Sequence, residues 1–368
     1  MLLTIKPLDA IFLRDSRPFE KGVETWANTI FPPYPSVFAG ALRTAYFNEN
    51  TKELYKAGLE SDPTKNIDIG ITCISKRKKL YFPLPLDMSV SSIKNKRDKE
   101  YRKCKLRQIE KNDMISSIDT EYYLKTISNY EMDDSGCIYI EESELKKYLL
   151  NKDSDFESYY LDMFDSDMDL IKMEYKIGIA RSIKTKTAKE SMLYRIGSLK
   201  LSDEMSFVIN MNNLKIKESG LLKFGGKAVI SKYNKIETDI LKEVKDIKIE
   251  KKFKVYLITP AIFKNGWLPS WINKETYEGE IKTDKGNARV KLLTAAIGKY
   301  KSIGGFDMVK RKPKEMNRAV PAGSVYYFEI VKGDMEQIIE YFNFKKISEE
   351  RANEGFGFSL VGRVNKND

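Results

Sequence analysis

The 368-residue chain contains no histidine. That absence excludes Ser-His-Asp triads and histidine-paired cysteine nucleophiles, and it removes most catalytic zinc sites. It also removes the usual general acid and base of metal-independent RNA cleavage. Any catalysis would have to use carboxylates, lysine, tyrosine or a cofactor.

Cysteine and long apolar runs are also scarce. Cys73, Cys104 and Cys137 lie roughly thirty residues apart, a spacing that fits no zinc site and favours a reducing, cytoplasmic setting. The sequence has no run of about 18 apolar residues, so no membrane span is expected. The opening MLLTIKPLDAIFLRD acquires Asp9 and Asp15 early and lacks a small-residue cleavage pattern. It therefore predicts a first strand and not a signal peptide.

Familiar catalytic and metal-binding motifs are missing as well. DSDMD resembles the start of a calcium loop, but Leu170 stands where that loop requires glycine and Lys176 where it requires glutamate. GFGFSLVG does not have the dinucleotide-binding spacing, and no P-loop is present. GGFD has one carboxylate where a two-metal cyclase needs a pair. We therefore predict no catalytic residues, no metal site and no cofactor.

The composition is that of a lysine-rich globular protein with 42% hydrophobic and 32% charged residues. Its length is sufficient for two domains that each bury a core. The formal net charge is +11 and the isoelectric point is about 9.1. This balance favours an anionic partner such as nucleic acid, although many basic proteins bind none.

Charge is unevenly distributed between about residues 50 and 170. Residues 76–111 contain thirteen Lys or Arg and four acids, whereas residues 131–169 contain thirteen acids and three lysines. Such blocks are typical of solvated faces or inserted segments. The basic half is a candidate for contact with RNA or a partner, and the acidic half is expected to face solvent or a basic protein.

The stretch IFPPYPSVFAGALRTAYF, residues 30–47, predicts a helix after a proline-rich approach. Proline suits a first helical position and Ser36 suits a cap. Apolar residues recur at i and i+4, while Gly40 and Arg43 fall on the exposed side. An ordinary amphipathic helix explains this pattern, and so does a helix whose N-terminus receives a phosphate.

The remaining periodicity alternates between strands and short helices. A strand is predicted over residues 2–13, core-like patterning over 175–180, and a hairpin whose exposed basic tip is SIKTKTAKES, residues 182–191. A strand follows at 206–211, and a helical turn and residues 221–230 would complete the first domain. A strand broken at Pro260 is predicted over 254–263, a helix at 335–344 and a last strand at 355–364. Residues 288–300 are ambiguous between helix and strand. Both halves are compatible with a β-α-β-β-α-β order.

Several segments occur in the order found in one known family. They are FLRDSRPF, FPPYPSVFAGALR, GIARSIKTKTAKESMLY, LLKFGG, LITPAIFKNGWLP, IGGFDM, AVPAGSVYYFE and GFGFSLVG. With these segments the chain resembles the family of the third subunit of the Cmr complex. That complex is the type III-B CRISPR effector, and the family belongs to the RAMP superfamily of RNA-binding proteins. The resemblance runs from the first residues to Gly362, with little support between residues 50 and 169.

The resemblance implies an α+β protein of two ferredoxin-like (RRM-like) domains, residues 1–249 and 250–368. The first would carry an insertion at about 50–170 and a protruding thumb at about 178–201. The family has no catalytic role of its own. It binds the 5′ repeat-derived tag of the CRISPR RNA (crRNA), and it docks on the large polymerase–cyclase subunit and on an adjacent backbone RAMP subunit. Contact with target RNA would be indirect.

A single-stranded tag is bound by cations, by backbone N–H groups at glycine-rich loops and by aromatic stacking. The RNA-binding residues implied are Arg14, Arg17, Ser36, Arg43, Arg181, Lys184, Lys186, Lys189, Gly304, Gly305, Gly355 and Gly357. The glycines would admit RNA backbone without Cβ clashes. Ion pairing of Arg14 and Arg17 with Asp15 or Glu20 is the structural alternative, and Tyr194 is expected in the core.

Two other functions stay open at this point. One is the equivalent handle-binding subunit of a type III-A (Csm) complex. The other is a RAMP-type endoribonuclease that processes precursor CRISPR RNA, for which tyrosine and lysine would have to replace histidine. Cleavage of repeat RNA without metal would distinguish that enzyme from a binding subunit.

Overall fold

The computed structural model of the chain describes residues 1–14, 26–27, 29–91, 100–108, 121–126, 130–132, 139–151, 158–160, 171–226, 229–307 and 311–364. In these ranges the chain is a mixture of many strands and few helices, as expected. It forms two compact units, each built from three segments. The first unit comprises Met1–Lys78, Phe164–Glu237 and Ser302–Asn317, and the second comprises Lys79–Met163, Thr238–Lys301 and Arg318–Asp368. The predicted domain boundary after residue 249 stays a prediction.

The elements of the first half, in chain order, are β1 (Leu2–Pro7), β2 (Trp26–Ala27), α1 (Pro35–Glu49), β3 (Asp68–Lys76), β4 (Lys79–Pro83), β5 (Met88–Ser91), β6 (Glu100–Lys103), β7 (Lys105–Gln108), β8 (Tyr122–Lys125), β9 (Tyr130–Met132), β10 (Tyr139–Glu141), α2 (Glu142–Leu150), β11 (Ser158–Tyr160) and β12 (Ile171–Arg181). A 3₁₀ helix, Thr51–Lys56, follows α1.

The elements of the second half are β13 (Ala188–Leu201), β14 (Met205–Asn212), β15 (Ser219–Phe224), β16 (Val229–Lys235), α3 (Lys242–Lys245), β17 (Lys252–Leu257), β18 (Glu278–Thr283), β19 (Gly286–Ala296), β20 (Lys301–Ile303), β21 (Phe306–Asp307), β22 (Lys312–Pro313), β23 (Asn317–Ala319), β24 (Val325–Lys332), α4 (Met335–Phe342), β25 (Lys345–Lys346) and β26 (Phe358–Arg363).

The first unit is organised around an antiparallel sheet in which β3, β14, β1, β16 and β15 lie side by side. Leu3 and Ile5 of the central strand are fully buried. Helix α1 packs on this sheet through Phe38, whose ring centroid lies 5.6 Å from Phe207 and 5.2 Å from Phe224. Burial of these aromatic side chains fixes the helix against the sheet.

The first strand is shorter than predicted. It ends at Pro7, and in the rest of the predicted span, residues 8–13, only Ile11 and Phe12 make isolated bridges. The Asp9 carboxylate accepts a hydrogen bond from the Ala10 amide at 2.7 Å, a local turn contact that competes with strand pairing. The prediction of one strand over residues 2–13 was therefore wrong in its second half.

A core strand lies inside the region predicted to be an insertion. β3 pairs with β14 in the first unit, and Ile69, Ile71 and Ile74 are buried. The assignment of residues 50–170 as one insertion was therefore wrong at β3. Its apolar run is short, and the basic block of residues 76–111 begins where the strand ends.

The second unit contains a sheet of six strands in the order β18-β19-β24-β17-β26-β25. Val255 of β17 and Val361 of β26 are fully buried side by side in the register. Helix α4 begins at a capping box in which the Asp334 carboxylate accepts from the amides of Glu336 and Gln337. The ambiguous stretch 288–300 is thus largely strand, and the helix at 335–344 is confirmed.

A fully buried polar cluster ties the middle of the chain to this sheet within the second unit. The Asp87 carboxylate accepts hydrogen bonds from the Tyr148 hydroxyl at 2.8 and 2.7 Å and from the Tyr327 hydroxyl at 2.6 Å. The Lys254 ammonium lies 4.0 Å from Asp87 and 3.1 Å from the centroid of the Tyr148 ring. Because a buried carboxylate needs partners, this cluster specifies how α2 and β24 meet.

Over the described part of the chain, no helix is both long and apolar enough to cross a bilayer.

Candidate nucleic-acid interface

A long antiparallel hairpin, β12–β13, belongs to the first unit and has many exposed side chains. Its register runs from Ile171 opposite Leu201 to Arg181 opposite Ala188. The turn between the strands is closed by two backbone hydrogen bonds, from Ser182 to Thr187 at 2.9 Å and from Lys186 to Ser182 at 3.0 Å. The hairpin therefore begins at Ile171, seven residues before the predicted start of the thumb, and the thumb itself stays a prediction.

The tip of this hairpin carries three predicted RNA-binding cations. Arg181, Lys184 and Lys186 are all exposed. The Arg181 Nε donates to the Lys186 carbonyl at 3.1 Å, which fixes the guanidinium beside the turn. Lys186 adopts a left-handed conformation with φ 59° at the turn. Lys189 follows at the start of β13. The structure thus brings together positive charge within one short turn.

An apolar row runs along one face of β12. Met173, Tyr175, Ile177 and Ile179 alternate with polar residues and are between 42% and 61% exposed. The prediction that residues 175–180 are core-like was wrong. β12 is an edge strand of a three-stranded sheet, β12-β13-β2, and strand alternation places these four apolar side chains on one face, where they are exposed.

Two tyrosines lie across glycines of the opposite strand. Tyr175 is paired with Gly197 and Tyr194 with Gly178, and the Tyr194 ring occupies the space where a Cβ of Gly178 would stand. Tyr194 is 38% exposed, so its predicted place in the core was wrong. Glycine opposite tyrosine lets the ring lie flat on the backbone and leaves one ring face towards solvent.

The base of the hairpin is joined to the chain that leads into α1. The Thr29 hydroxyl donates to the Gly197 carbonyl, and the Ile30 amide donates to the Leu13 carbonyl at 2.8 Å. Arg14, which is exposed, forms an isolated bridge with Thr29. Arg17, Asp15 and Glu20 lie outside the described residues, so the ion-pair alternative stays open.

Helix α1 begins at Pro35, one residue before Ser36. Tyr34 is the N-cap and its side chain makes no capping hydrogen bond, Pro35 opens the helix, and Ser36 stands inside its first turn. The prediction that proline occupies the first helical position is confirmed, and the prediction that Ser36 is the cap was wrong. The first turn contains no acidic residue, so the positive end of the helix is not neutralised by its own side chains.

Arg43 has a partner within the first unit. Its guanidinium lies 2.6 Å from the Asp62 carboxylate and donates to the Thr64 hydroxyl at 2.8 Å. The predicted exposed position was wrong, since Arg43 is half-buried. Burial raises the pKa of Asp62, but hydrogen bonds from Thr64 and Gly58 and the charge of Arg43 outweigh it and lower that pKa. The pair anchors the loop after α1 to the helix.

The predicted glycines divide between the two units. Gly304 and Gly305 belong to the first unit, where the Gly305 carbonyl accepts from the Lys314 amide at 2.9 Å. Gly305 is exposed with φ 146°. Gly355 and Gly357 are buried in the second unit, with φ 97° and 72°. A Cβ on Gly357 would overlap the Ser348 amide, so the close approach predicted there is made by the chain itself.

The apolar row on β12 is the feature that sequence reasoning missed. Its signal is present in KMEYKIGI, where apolar and charged residues alternate strictly. Alternation predicts a strand with one apolar face, but it does not say whether that face is covered. Among the residues described, no three His, Cys, Asp or Glu side chains group as a metal site would require.

Comparison with known proteins supports the resemblance. The model of the family "CRISPR-associated protein (Cas_Cmr3)" matches residues 3–364. The CRISPR system CMR subunit Cmr3 of Saccharolobus solfataricus is 24% identical over 337 residues, which are 89% of this chain and 86% of that protein.

Two cryo-EM structures of type III-B Cmr-beta bound to cognate target RNA, one of them also with AMPPnP, contain a chain of similar fold. Their TM-scores are 0.52 and 0.51, at 20% identity, covering 89% of this chain and 86% of that chain. Since the family model spans almost the whole sequence, the chain belongs to the Cas_Cmr3 family of CRISPR-associated proteins.

Proposed function

We propose that this chain, as a Cmr3-family subunit of a type III-B effector, binds the 5′ repeat-derived tag of the crRNA in RNA-guided antiviral defence. The exposed basic tip of the β12–β13 hairpin is the observation that carries this proposal. Arg181, Lys184 and Lys186 lie within six residues of one another on a turn that no acidic residue interrupts. Such a turn is suited to consecutive phosphates of a single strand.

The apolar row complements these cations. RNA-binding surfaces combine positive charge with apolar or aromatic side chains that receive unstacked bases. Tyr175 and Ile177 are more than half exposed on the same hairpin as the basic tip. The hairpin therefore offers phosphate contacts at its end and base contacts along its length.

The helix and first loop extend this surface in the first unit. Arg14 bridges Thr29, whose hydroxyl is bonded to the hairpin base, and the uncapped start of α1 follows a few residues later. Peptide N–H groups at a helix start favour an anion. Arg43 is engaged by Asp62, so the geometry favours a structural contribution from it; its RNA contact stays a prediction.

We also propose that both sheets are ferredoxin-like. In the first unit β3, β14, β1 and β16 have the order 2-3-1-4 of a split βαβ motif, and in the second β19, β24, β17 and β26 repeat it. Membership of the family supports the further proposal that the chain docks the large polymerase–cyclase subunit and an adjacent backbone RAMP subunit. Target RNA would then be contacted indirectly, and no membrane would be involved.

The role we propose is binding without catalysis. Incubation of the purified chain with repeat RNA in metal-free buffer tests it against the endoribonuclease alternative, with fluorescence anisotropy of the same labelled RNA measured in parallel. We expect saturable binding and intact RNA. Specific cleavage products would overturn the proposal and favour the processing enzyme. The family match favours type III-B over the type III-A alternative.

A further inference from the structure

The second unit contains a cavity of about 1010 Å³ that the RNA proposal does not use. Its floor is apolar, because Leu292, Leu293 and Val320 line it and are at most 5% exposed. A volume of this size lies at the upper end for ligand sites, which suits a ligand that inserts more than one side chain.

The walls of the cavity are rich in aromatic rings. The five that line it are Tyr122, Tyr123, Trp267, Tyr277 and Tyr300. The backbone at Trp267 is fixed, since its carbonyl accepts from the Tyr326 hydroxyl at 2.6 Å. Rigid aromatic side chains around an apolar floor are the composition of binding hot spots.

One wall comes from the middle of the chain, within the second unit. β8 pairs with β7, and the Tyr122 ring lies 4.8 Å from the Lys252 ammonium. The Glu121 carboxylate binds the Lys291 ammonium of β19 at 2.8 Å, and this bond raises the pKa of Lys291. These two contacts hold β8 against the sheet. Residues 121–124 therefore form one wall of the cavity.

The charges around the cavity are balanced. The lining includes three carboxylates, on Glu121, Glu275 and Glu278, and three cations, on Lys291, Lys299 and Arg318. Lys291 is engaged by Glu121, and the Arg318 guanidinium lies 4.9 Å from the centroid of the exposed Tyr300 ring. A nucleic-acid site needs more cations than carboxylates, and the lining of this cavity contains three of each.

From this balance and the aromatic walls, we propose that the cavity binds an extended segment of a partner protein through an aromatic or large aliphatic anchor side chain. The inference rests on the proposed docking role in the complex and not on the RNA-binding role. Arginine and tyrosine at the rim and leucine at the floor match the polar rim and apolar centre of protein interfaces.

Photo-crosslinking identifies the occupant directly. The probe is p-benzoylphenylalanine in place of Tyr277, whose ring lines the cavity, in the effector complex assembled with its crRNA. After irradiation, mass spectrometry of the digested complex should find the probe joined to one polypeptide segment of another subunit, at an aromatic or aliphatic residue. A crosslink to RNA, or crosslinks confined to this chain, would overturn the proposal.

Filling the cavity gives an independent measurement. Ala295→Trp places a ring inside it, and Lys282→Trp, at an exposed position of β18 that does not line the cavity, is the control. We expect Ala295→Trp to weaken association with the other subunits by at least about tenfold and Lys282→Trp to leave it unchanged. Equal association of both variants would overturn the proposal.

A thermal melt of each variant shows whether it folds, and if Ala295→Trp does not fold, the crosslink alone decides. Affinity for tag RNA is measured on the same proteins. It should be unchanged in Ala295→Trp, because the hairpin belongs to the other unit. A failure of RNA binding and a failure of docking therefore give different results.

Discussion

The guanidinium of Arg43 lies 2.6 Å from the carboxylate of Asp62, nineteen residues further along the chain. Asp62 is 6% exposed and also accepts from the Thr64 and Gly58 amides, so a buried carboxylate is fully supplied with donors. Arg43 is the last residue of the segment FPPYPSVFAGALR, which resembles the family. Through Asp62 it also fixes the loop after α1.

Asp62→Asn should destabilise the protein by about 2 kcal/mol, because it removes a charged acceptor from a buried network. Urea unfolding measures this loss. The control is Asp203→Asn, since Asp203 is fully exposed in its 3.1 Å pair with Lys6, and exposed pairs contribute about 0–1 kcal/mol. Equal midpoints for the two variants would show that the Arg43 pair is not structural.

Gly357→Ala should cost about 3 kcal/mol in stability. At φ 72° any side chain is strained, and a Cβ would overlap the backbone of Ser348. Gly40→Ala is the matched control, because nothing lies within 4 Å of a Cβ there and alanine is the better helix former. Thermal melts should rank Gly357→Ala far below wild type and Gly40→Ala at or above it. A Gly357→Ala protein as stable as wild type would contradict the packing described.

Tyr233 should make the protein sensitive to alkaline pH. Burial, followed by the Glu49 charge and hydrogen bond, raises the pKa of Tyr233 to about 12. A raised folded-state pKa means that stability is fully present below the unfolded value of about 10 and is lost as the pH rises towards 12. The loss attributable to this tyrosine is about 2 kcal/mol.

Tyr233→Phe removes the titrating hydroxyl, so its stability should fall less steeply than wild type across this pH interval. Urea midpoints at a series of pH values give both slopes. If the two proteins lose stability in parallel, Tyr233 is not the group responsible.

How far the sequence predicts this molecule is clearest at individual elements. Helix α4 was predictable because its apolar spacing and the Asp334 cap act within a few residues. Strand β14 was predictable because its apolar run is bounded by polar residues. Both signals are local, and local signals are what periodicity records.

The failures involve contacts that are distant in sequence. β3 is buried only because β14, more than a hundred residues later, pairs with it. The apolar row on β12 is between 42% and 61% exposed in the structure, and no pattern within β12 reveals whether that face is covered. The ion pair of Arg43 with Asp62 likewise joins residues that folding brings together, and so do the walls of the cavity in the second unit.

Charge reversal at the hairpin tip should weaken tag RNA binding and flatten its salt dependence. Lys184→Glu with Lys186→Glu should reduce the slope of log affinity against log salt by about 0.7 for each lost single-strand phosphate contact. The control is Lys215→Glu with Lys217→Glu, which has the same spacing and charge change at exposed positions of the first unit. Identical slopes for the two double variants would place the tip away from RNA.

The central claim is that this chain binds the crRNA tag through the hairpin tip and the loop leading to α1. Crosslinking in the purified effector complex tests it most directly, with 4-thiouridine placed in the tag and the attached peptides identified by mass spectrometry. We expect the tag to be joined to this chain within residues 171–201 or beside Arg14 and Ser36. A tag crosslinked only to other subunits would contradict the account.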